Sequence, residues 1–509
     1  RTQPAGGNGS REARDSCADL KLRDVIYVPE VCATGFAHMS LHKRQRERKL
    51  PAVWFRCLRG TWRVVDHAAR MLVVAFSDAR LRDRYMELVN SHGGAAQALA
   101  AGIHALPGAT SSLAATQGAY RFLNNPNVTL ADLAEPVIDL ARELAATECN
   151  QYLLIVQDWS QVMYPDHDSK RDRIPLSSRD VPEGYEMHTA LLVGDRAGDP
   201  LAPLEISLRA ADGVHESRSD QPRPALSPLD ELAPMMRHVE GLNLGKPAVH
   251  IIDAEADSVF HYRDWDAAGH LFLVRADDRL AEQGEDEKRF STIRTELRER
   301  GAFREVREVR YRGRAARQWV AETGIVLTRA AQRNRPKAGD RRRIPGEPLA
   351  LRLVIAEVRA KAGTLLATWY LLTNVPPEVP TATIALWYYW RWNIEELFQL
   401  LKSAGQQLET WQQETVGAIA RRLWVACMAC ATVWQIARSQ HPRAAAARTA
   451  LIRLSGRQMK RGVPHTMPAL LAGLWTLLAM LDILEHHTLD ELKEFARLAQ
   501  PLSTSSGFV

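Results

Sequence analysis

The chain has few cysteines, no apolar run of membrane-spanning length and no apparent secretory leader. Its six cysteines, at positions 17, 32, 57, 149, 427 and 430 of 509 residues, are too sparse for a disulfide framework. The longest apolar stretches, 423–436 and 467–481, fall short of the roughly 20 residues that a membrane span needs, so they predict buried helices. Near the start, no charged segment precedes an apolar core. We therefore expect a cytoplasmic protein in a reducing compartment, without a membrane partner.

One pair of cysteines has the spacing of a metal or redox site. Cys427 and Cys430 are separated by two residues, but they stand in an apolar helical segment without a second Cys or His pair nearby. A structural zinc ion needs four such ligands. The pair therefore predicts two buried thiols.

The chain also lacks a strong excess of charge. The 66 Lys and Arg exceed the 60 Asp and Glu by only six. Residues 301–345 are locally basic, with 13 Lys and Arg against 4 Asp and Glu. This stretch is consistent either with a solvated loop or with a surface for a polyanion, since arginine binds phosphate oxygens in a bidentate manner.

Hydrophobic periodicity divides the chain into parts. Residues 1–76 have a Gly-rich opening and no sustained period, so they predict an irregular extension of unknown role. Residues 77–148 predict a compact helical unit. Short apolar runs predict strands at 152–157, 187–193, 201–208, 248–252 and 271–274, with helices at 228–242 and 254–267. This order indicates an α/β fold with a mixed sheet. Charged, alternating segments over about 276–368 predict a β-rich insertion, and a helical region follows Pro380.

The helix predicted after Pro380 carries a polar stripe beside an apolar face. Tyr388, Arg391, Glu395 and Lys402 fall on one side at 100° per residue, next to the apolar side chains that anchor the helix. Taken alone, this pattern is also that of an amphipathic helix with an Arg391–Glu395 salt bridge.

The spacing Tyr-x2-Arg-x3-Glu-x6-Lys, with its neighbours Trp392, Ile394 and Glu396, resembles the signature of the bacterial DDE transposases of the insertion-sequence-four group, which includes the Tn-five type. The resemblance extends over about residues 77–500. It implies a ribonuclease-H-like core with a mixed five-stranded sheet over 149–405, interrupted by the insertion. It also implies a helical DNA-end-recognition domain at 77–148 and a helical, dimerising region at 406–509.

The resemblance requires two aspartates upstream, at the ends of strands. Asp158 follows the first predicted strand and Asp253 follows the fourth, where open sheets place ligand-binding groups. Either aspartate alone is better explained as a turn or helix-cap residue. Together with Glu395, they form the predicted catalytic and metal-binding set.

Three carboxylates suit the chemistry that such enzymes perform. Hydrolysis of a phosphodiester needs an activated water and stabilisation of the attacking and leaving oxygens, which two divalent ions about 4 Å apart provide. Mg²⁺ prefers oxygen ligands and keeps several waters. We therefore expect two Mg²⁺ ions, with Mn²⁺ as a substitute, held by Asp158, Asp253 and Glu395.

The resemblance also assigns candidate DNA contacts. Tyr388, Arg391 and Lys402 would hold phosphates near the scissile bond. Trp369 corresponds to a tryptophan that stacks on a flipped base and Arg275 to an arginine near that base, although Trp369 alone reads as a core aromatic on a strand. Tyr120 and Arg121 are predicted to contact the DNA at the ends of the mobile element. Without the resemblance, their segment reads as a helix end closed by an Asn-Pro turn.

Two positions depart from the family pattern. Ala254 stands where the family has an arginine after the second aspartate, which puts a DNA contact there in doubt. The residues Trp159 and Ser160 replace two threonines after the first aspartate. Neither change affects a predicted metal ligand.

The function implied is cut-and-paste DNA transposition by a homodimer in a synaptic complex, acting on the ends of a mobile element and on target DNA. The expected course is nicking at the element ends, a hairpin intermediate and joining of the 3′ ends to target DNA. Two alternatives remain open at this point. One is a catalytically inactive DNA-binding regulator derived from a transposase, and the other is a related metal-dependent nuclease that does not transpose.

Overall fold

The computed structural model describes residues 78–94, 112–165, 167–176, 183–334 and 341–498. The predicted irregular extension, residues 1–76, lies outside the described residues. The helices are α1 (Ala79–Gly94), α2 (Ser112–Leu123), α3 (Leu130–Glu148), α4 (Pro228–Gly241), α5 (Val259–Ala267), α6 (Phe290–Glu299), α7 (Thr381–Trp390), α8 (Asn393–Leu401), α9 (Val416–Arg438), α10 (Ala444–Ser455), α11 (Met467–His486) and α12 (Leu489–Leu498).

The strands form one large mixed sheet and one small hairpin. They are β1 (Leu153–Met163), β2 (Gly184–Gly194), β3 (Pro200–Ala210), β4 (Gly213–His215), β5 (Ala248–Ile252), β6 (Leu271–Ala276), β7 (Leu280–Gln283), β8 (Asp286–Arg289), β9 (Arg304–Tyr311), β10 (Arg314–Leu327), β11 (Ala331–Asn334), β12 (Arg341–Ile344), β13 (Leu349–Ala360) and β14 (Leu365–Thr373). The large sheet has the order β4-β3-β2-β1-β5-β6-β14-β13-β10-β7-β8, with β9 paired to β10.

Polar caps set where several helices begin. The Thr129 side chain accepts a hydrogen bond from the backbone of Asp132, and the Asp132 carboxylate accepts one from the backbone of Thr129, which is a capping box at the start of α3. Ser227 caps α4, and Pro228 occupies its first position. Within the described part of 77–148, the elements are the helices α1, α2 and α3.

The five predicted strands correspond to β1, β2, β3, β5 and β6, which are neighbours in the order β3-β2-β1-β5-β6. Strand β2 pairs antiparallel with both β1 and β3, whereas β5 pairs parallel with both β1 and β6. Between β1 and β5 the last registered pair is Gln157 and Ile252. Because Asp158 and Asp253 each follow a member of this pair, they emerge side by side.

One detail of the first strand differs from the sequence-based expectation. Strand β1 continues past Asp158 to Met163, because β2 goes on pairing with it there. Asp158 therefore lies within β1, at the level where the parallel partner β5 ends. The antiparallel neighbour, which sequence periodicity does not reveal, sets the length of the strand.

The inserted strands extend the same sheet. Strand β14 pairs antiparallel with β6, β13 pairs with β14, and β10 pairs with β13. The sheet thus grows beyond the five predicted strands, because the edge of β6 has unpaired backbone groups that β14 satisfies.

Apolar clusters cover both faces of the sheet. One includes buried side chains of α3, α7, α8 and α9, and the other includes those of α4, α5 and α6. Helix α9 is long and apolar enough to cross a membrane, but 89% of its most apolar window is buried inside the protein. Cys427 and Cys430 are buried in this helix, and burial raises the pKa of Cys430 to about 12, as expected for inert thiols.

The helix predicted through the motif is interrupted. It ends at Trp390 and resumes at Asn393. Across the break, Arg391 donates its backbone N–H to Tyr388 and Ile394 donates to Arg391, so the hydrogen bonds span three residues instead of four. The single helix expected through residues 388–402 is therefore two helices, with a break at Arg391 and Trp392.

Candidate functional site

Two of the three predicted carboxylates contact one guanidinium, and the third lies close enough for their charges to act on it. Arg391, at the break between α7 and α8, places Nη1 2.7 Å from Oδ2 of Asp158 and Nη2 3.0 Å from Oδ2 of Asp253. Glu395 follows Arg391 by one helical turn and is half-buried beside the two aspartates, whose charges act on it. The pairing of β1 with β5 and the fold of α7 and α8 therefore bring Asp158, Asp253 and Glu395 together.

Asp253 is the most firmly held of the three. Its Oδ1 accepts hydrogen bonds from the backbone N–H of Ala254 at 2.6 Å and from the hydroxyl of Tyr388 at 3.2 Å. Nε of Arg275 lies 3.1 Å from the same oxygen. Burial alone would raise the pKa of Asp253, but the charges of Arg391 and Arg275 hold it below its usual value.

The other carboxylates have less compensation. Burial raises the pKa of Asp158, and the charge of Asp253 adds to the effect of burial against the opposing charge of Arg391. Burial and the charge of Asp158 likewise raise the pKa of Glu395 and of Glu255, which stands two residues after Asp253. Arg391 is a cation that acts on all four carboxylates. Arg275 also acts on Asp253 and Lys402 on Glu395, yet the pKa values of Asp158, Glu255 and Glu395 stay raised, so the cluster is incompletely neutralised.

The donor set suits a hard divalent cation, because all of its ligands are carboxylate oxygens. The arrangement, however, is closed around the arginine. Within the described residues, no three His, Cys, Asp or Glu side chains are arranged to hold a metal ion. The guanidinium of Arg391 occupies the gap between Asp158 and Asp253. The chemistry of the ligands fits Mg²⁺. In this structure, however, the positive charge between the two aspartates is that of Arg391.

The remaining motif residues line the same region. Tyr388 is buried, and its ring lies 5.8 Å from that of Trp369 on β14. Lys402 ends α8, where its Nζ donates to the carbonyl of Gln161 on β1 and lies 3.8 Å from Glu409. Burial lowers the pKa of Lys402, against the charges of Glu409 and Glu395.

Two predicted DNA contacts lie elsewhere. Tyr120 and Arg121 are on α2, the first half-buried and the second exposed. Among the contacts found within the described residues, neither side chain touches the carboxylate cluster. The structure thus separates a compact acidic site from an exposed helical position.

Sequence reasoning missed two features of the site. Glu255 was not selected, although a second acidic residue close to the strand end is a readable signal, and a 3-10 turn over Ala254–Ala256 brings it beside the cluster. The pairing of Arg391 with both aspartates was also missed, because it depends on the break between α7 and α8.

Comparisons with known proteins bear mainly on the amino-terminal part. The transposase DNA-binding family matches residues 68–128, which include α1 and α2. Among solved structures, the chain is similar to a cryo-EM structure of a piggyBac transposase synaptic complex with hairpin DNA, at 10% identity and a TM-score of 0.30. That match covers 74% of this chain but 63% of the other, so the chain spans less than two thirds of its length. Comparison with curated proteins gives no match. The structural likeness is too weak to define the fold or the reaction, whereas the family match indicates a DNA-binding segment of transposase type.

Proposed function

We propose that the chain is a DDE transposase that cuts and joins DNA with the help of divalent metal ions. The observation that carries this proposal is the under-neutralised cluster of Asp158, Asp253, Glu255 and Glu395, centred on Arg391. It occurs on a chain whose residues 68–128 match a transposase DNA-binding family. A DNA-binding segment and an acidic site together favour a metal-dependent reaction on DNA.

The strand arrangement supports a ribonuclease-H-like core. Three antiparallel strands, β1 to β3, are followed by two parallel ones, β5 and β6, with α4 and α5 in the connections. In this proposal the core covers residues 149–405, and strands β7 to β13 belong to the insertion. The site then lies at the end of β5, where parallel strands commonly place ligand-binding groups.

Asp158, Asp253 and Glu395 would hold two Mg²⁺ ions, for which Mn²⁺ would substitute. When bound, such ions lower the pKa of a water and stabilise the attacking and leaving oxygens. Tyr388 and Arg275 keep Asp253 in position through their contacts with its Oδ1.

In the proposed reaction, water cuts one strand at each element end. The freed 3′-hydroxyl attacks the opposite strand to form a hairpin, water reopens the hairpin, and the 3′-hydroxyl then attacks target DNA. Arg391 and Lys402 would bind phosphates near the scissile bond, and Trp369 would stack on an unpaired base. This division of roles leaves no proton-transfer step to a protein side chain.

Two surfaces outside the core have proposed partners. Arg121 and Tyr120 on α2 would contact the DNA of the element ends. Helices α11 and α12 would contribute to a homodimer in a synaptic complex, since large apolar side chains are exposed there, namely Met480, Ile483, Leu484, Leu489 and Phe495.

The decisive test is a cleavage assay on a duplex that carries the inverted repeats flanking the gene. The wild-type chain should give a hairpin product with Mg²⁺ and none without it, and Asp158→Asn should give none in either case. Asp212→Asn is the matched control, because Asp212 is an exposed carboxylate that pairs with His215, away from the cluster.

Each alternative has its own outcome. Linear nicked ends without a hairpin would contradict the hairpin step, and cutting of DNA regardless of sequence would favour the nuclease. Tight binding of the repeats without cutting in Mg²⁺ or Mn²⁺ would favour the inactive regulator.

A further inference from the structure

We infer that Arg391 closes the metal site of the free chain, and that DNA opens the site by drawing this guanidinium onto a phosphate. Metal ions and DNA then bind cooperatively to the same chain. This inference rests on the proposed function, because it presumes that the carboxylates of Asp158 and Asp253 are metal ligands.

The first support is the geometry of the guanidinium. Arg391 is only 4% exposed, and its two terminal nitrogens each contact a different aspartate. Its aromatic neighbours are Tyr388 and Trp392, with ring centroids 6.0 and 5.4 Å away. The side chain therefore lies between Asp158 and Asp253 rather than in solvent.

The second support is the occupancy of the carboxylate oxygens. Oδ1 of Asp158 accepts from the backbone N–H of Trp159 at 2.9 Å, and Oδ1 of Asp253 accepts from Ala254 and Tyr388. The remaining Oδ2 atoms are the ones that Arg391 contacts. A divalent ion bound by these oxygens would repel the guanidinium at close range, so the ion and Arg391 compete for the same two atoms.

The third support is that Arg391 is incompletely satisfied in this position. Its Nε is buried and has no hydrogen-bond partner within the described residues. A phosphate accepts two parallel hydrogen bonds from a guanidinium and engages such a donor well. The next residue, Trp392, is 40% exposed, so the chain reaches the protein surface directly after Arg391.

The fourth support is the break in the helix. Arg391 lies where α7 ends and α8 has not begun, in a segment with hydrogen bonds spanning three residues. Such a junction is a position at which a helix changes direction more easily than in its regular interior. The side chain can therefore reorient while α7 and α8 remain packed in the core.

Thermodynamic linkage gives the inference a measurable form. If DNA removes Arg391 from the aspartates, DNA raises the affinity for metal, and metal raises the affinity for DNA by the same factor. Couplings of this kind commonly amount to about 5- to 150-fold.

The test measures Mn²⁺ binding by the full chain, with the EPR signal of the free ion as the readout. Without DNA, Arg391→Gln should bind Mn²⁺ at least about tenfold more tightly than the wild type. Adding a duplex that ends at the cleavage position should tighten Mn²⁺ binding by the wild type and leave Arg391→Gln nearly unchanged. Arg352→Gln is the matched control, since the Arg352 side chain is also mostly buried and pairs with a carboxylate, Glu322 at 2.7 Å, on the inserted strands β13 and β10.

The possible outcomes separate this inference from the proposed function. Equal or weaker Mn²⁺ binding by folded Arg391→Gln would overturn the inference. If Arg391→Gln does not fold, the wild type is sufficient for the test. A wild-type Mn²⁺ affinity that the duplex leaves unchanged would also overturn the inference. Asp253→Asn should weaken Mn²⁺ binding in either background, and if it does not, the metal site of the proposed function is itself wrong.

Discussion

Glu357 on β13 and Asp158 on β1 are both carboxylates carried by the same large sheet, but their surroundings are opposite in charge. Glu357 is fully buried and is contacted by three arginines: Nε of Arg294 at 2.6 Å, Nε of Arg359 at 2.8 Å, and Arg298. Asp158 shares the single guanidinium of Arg391 with Asp253.

The pKa shifts follow from this difference. Burial would raise the pKa of Glu357, but the hydrogen bonds from Arg294 and Arg359 hold it below its usual value. Burial raises the pKa of Asp158, and Arg391 does not offset it. The Glu357 cluster is neutralised by the protein itself, as a structural ion-pair network is. The Asp158 cluster has uncompensated negative charge, which proteins retain chiefly where function requires it.

The largest effect should come from Glu395→Gln. Because Glu395 is a proposed metal ligand, its loss should reduce Mg²⁺-dependent cleavage at least about a thousandfold, which corresponds to several kcal/mol of transition-state stabilisation. The free energy of unfolding of the Glu395→Gln variant should stay the same or rise, since the change removes a charge from an acidic cluster. Cleavage kinetics and urea denaturation measure the two quantities.

Glu396 is next to Glu395 in sequence, but Glu396→Gln is a poor control. Burial raises the pKa of Glu396 to about 7, so the residue is only partly ionised near neutral pH. Glu305→Gln is the cleaner control, because Glu305 is partly exposed and pairs only with an exposed arginine, Arg317, at 3.2 Å in the described structure. If Glu395→Gln cleaves DNA at the rate of this control, Glu395 is not a metal ligand.

Glu357→Gln should give the reverse pattern. Removing the acid leaves three arginines facing one another, so the free energy of unfolding should fall by about 2 to 4 kcal/mol. The lower part of this range is expected because the side chain of Arg298 is 47% exposed. Cleavage per folded molecule should be unchanged. If Glu357→Gln lost most of its cleavage activity while its free energy of unfolding stayed unchanged, the Glu357 cluster would be functional rather than structural.

Part of this contrast could be read from the sequence. Asp158 and Asp253 were identified because each follows a buried apolar run, and Glu395 because of its spacing from Tyr388, Arg391 and Lys402. Those signals are local. The structure adds the register of β1 with β5, which puts the two aspartates side by side.

The remaining features depend on contacts between distant parts of the chain. The break at Arg391 and the pairing of its guanidinium with two strands cannot be derived from helical periodicity. The Glu357 cluster joins α6 to β13, more than 50 residues apart in sequence, and no local pattern predicted it. Pairing of β14 with β6 likewise depends on which strand edge is available.

Two adjacent tyrosines provide a finer test of the comparison. Tyr388 donates to Asp253 at 3.2 Å, whereas Tyr389 donates to the carbonyl of Arg310, in the insertion, at 3.1 Å. Tyr388→Phe should weaken Mn²⁺ binding and cleavage about tenfold, near the low end for residues that orient a metal ligand, because Arg275 and Ala254 still hold Asp253. Tyr389→Phe should leave both unchanged and lower the free energy of unfolding by about 1 kcal/mol. Equal effects of the two changes on cleavage would contradict a special role for Tyr388.

The smallest effect is the pH dependence of the Glu357 cluster. A carboxyl whose pKa is lower in the folded chain than in the unfolded chain stabilises the fold fully above the unfolded value, and this contribution is lost as the pH falls through the folded value. The difference in unfolding free energy between wild type and Glu357→Gln should therefore be constant above about pH 5.5 and shrink below about pH 4.5. Urea denaturation of both proteins from pH 6.5 to pH 3.5 measures it. A difference that grows as the pH falls would mean that Glu357 is protonated in the folded chain, and its cluster would then resemble that of Asp158.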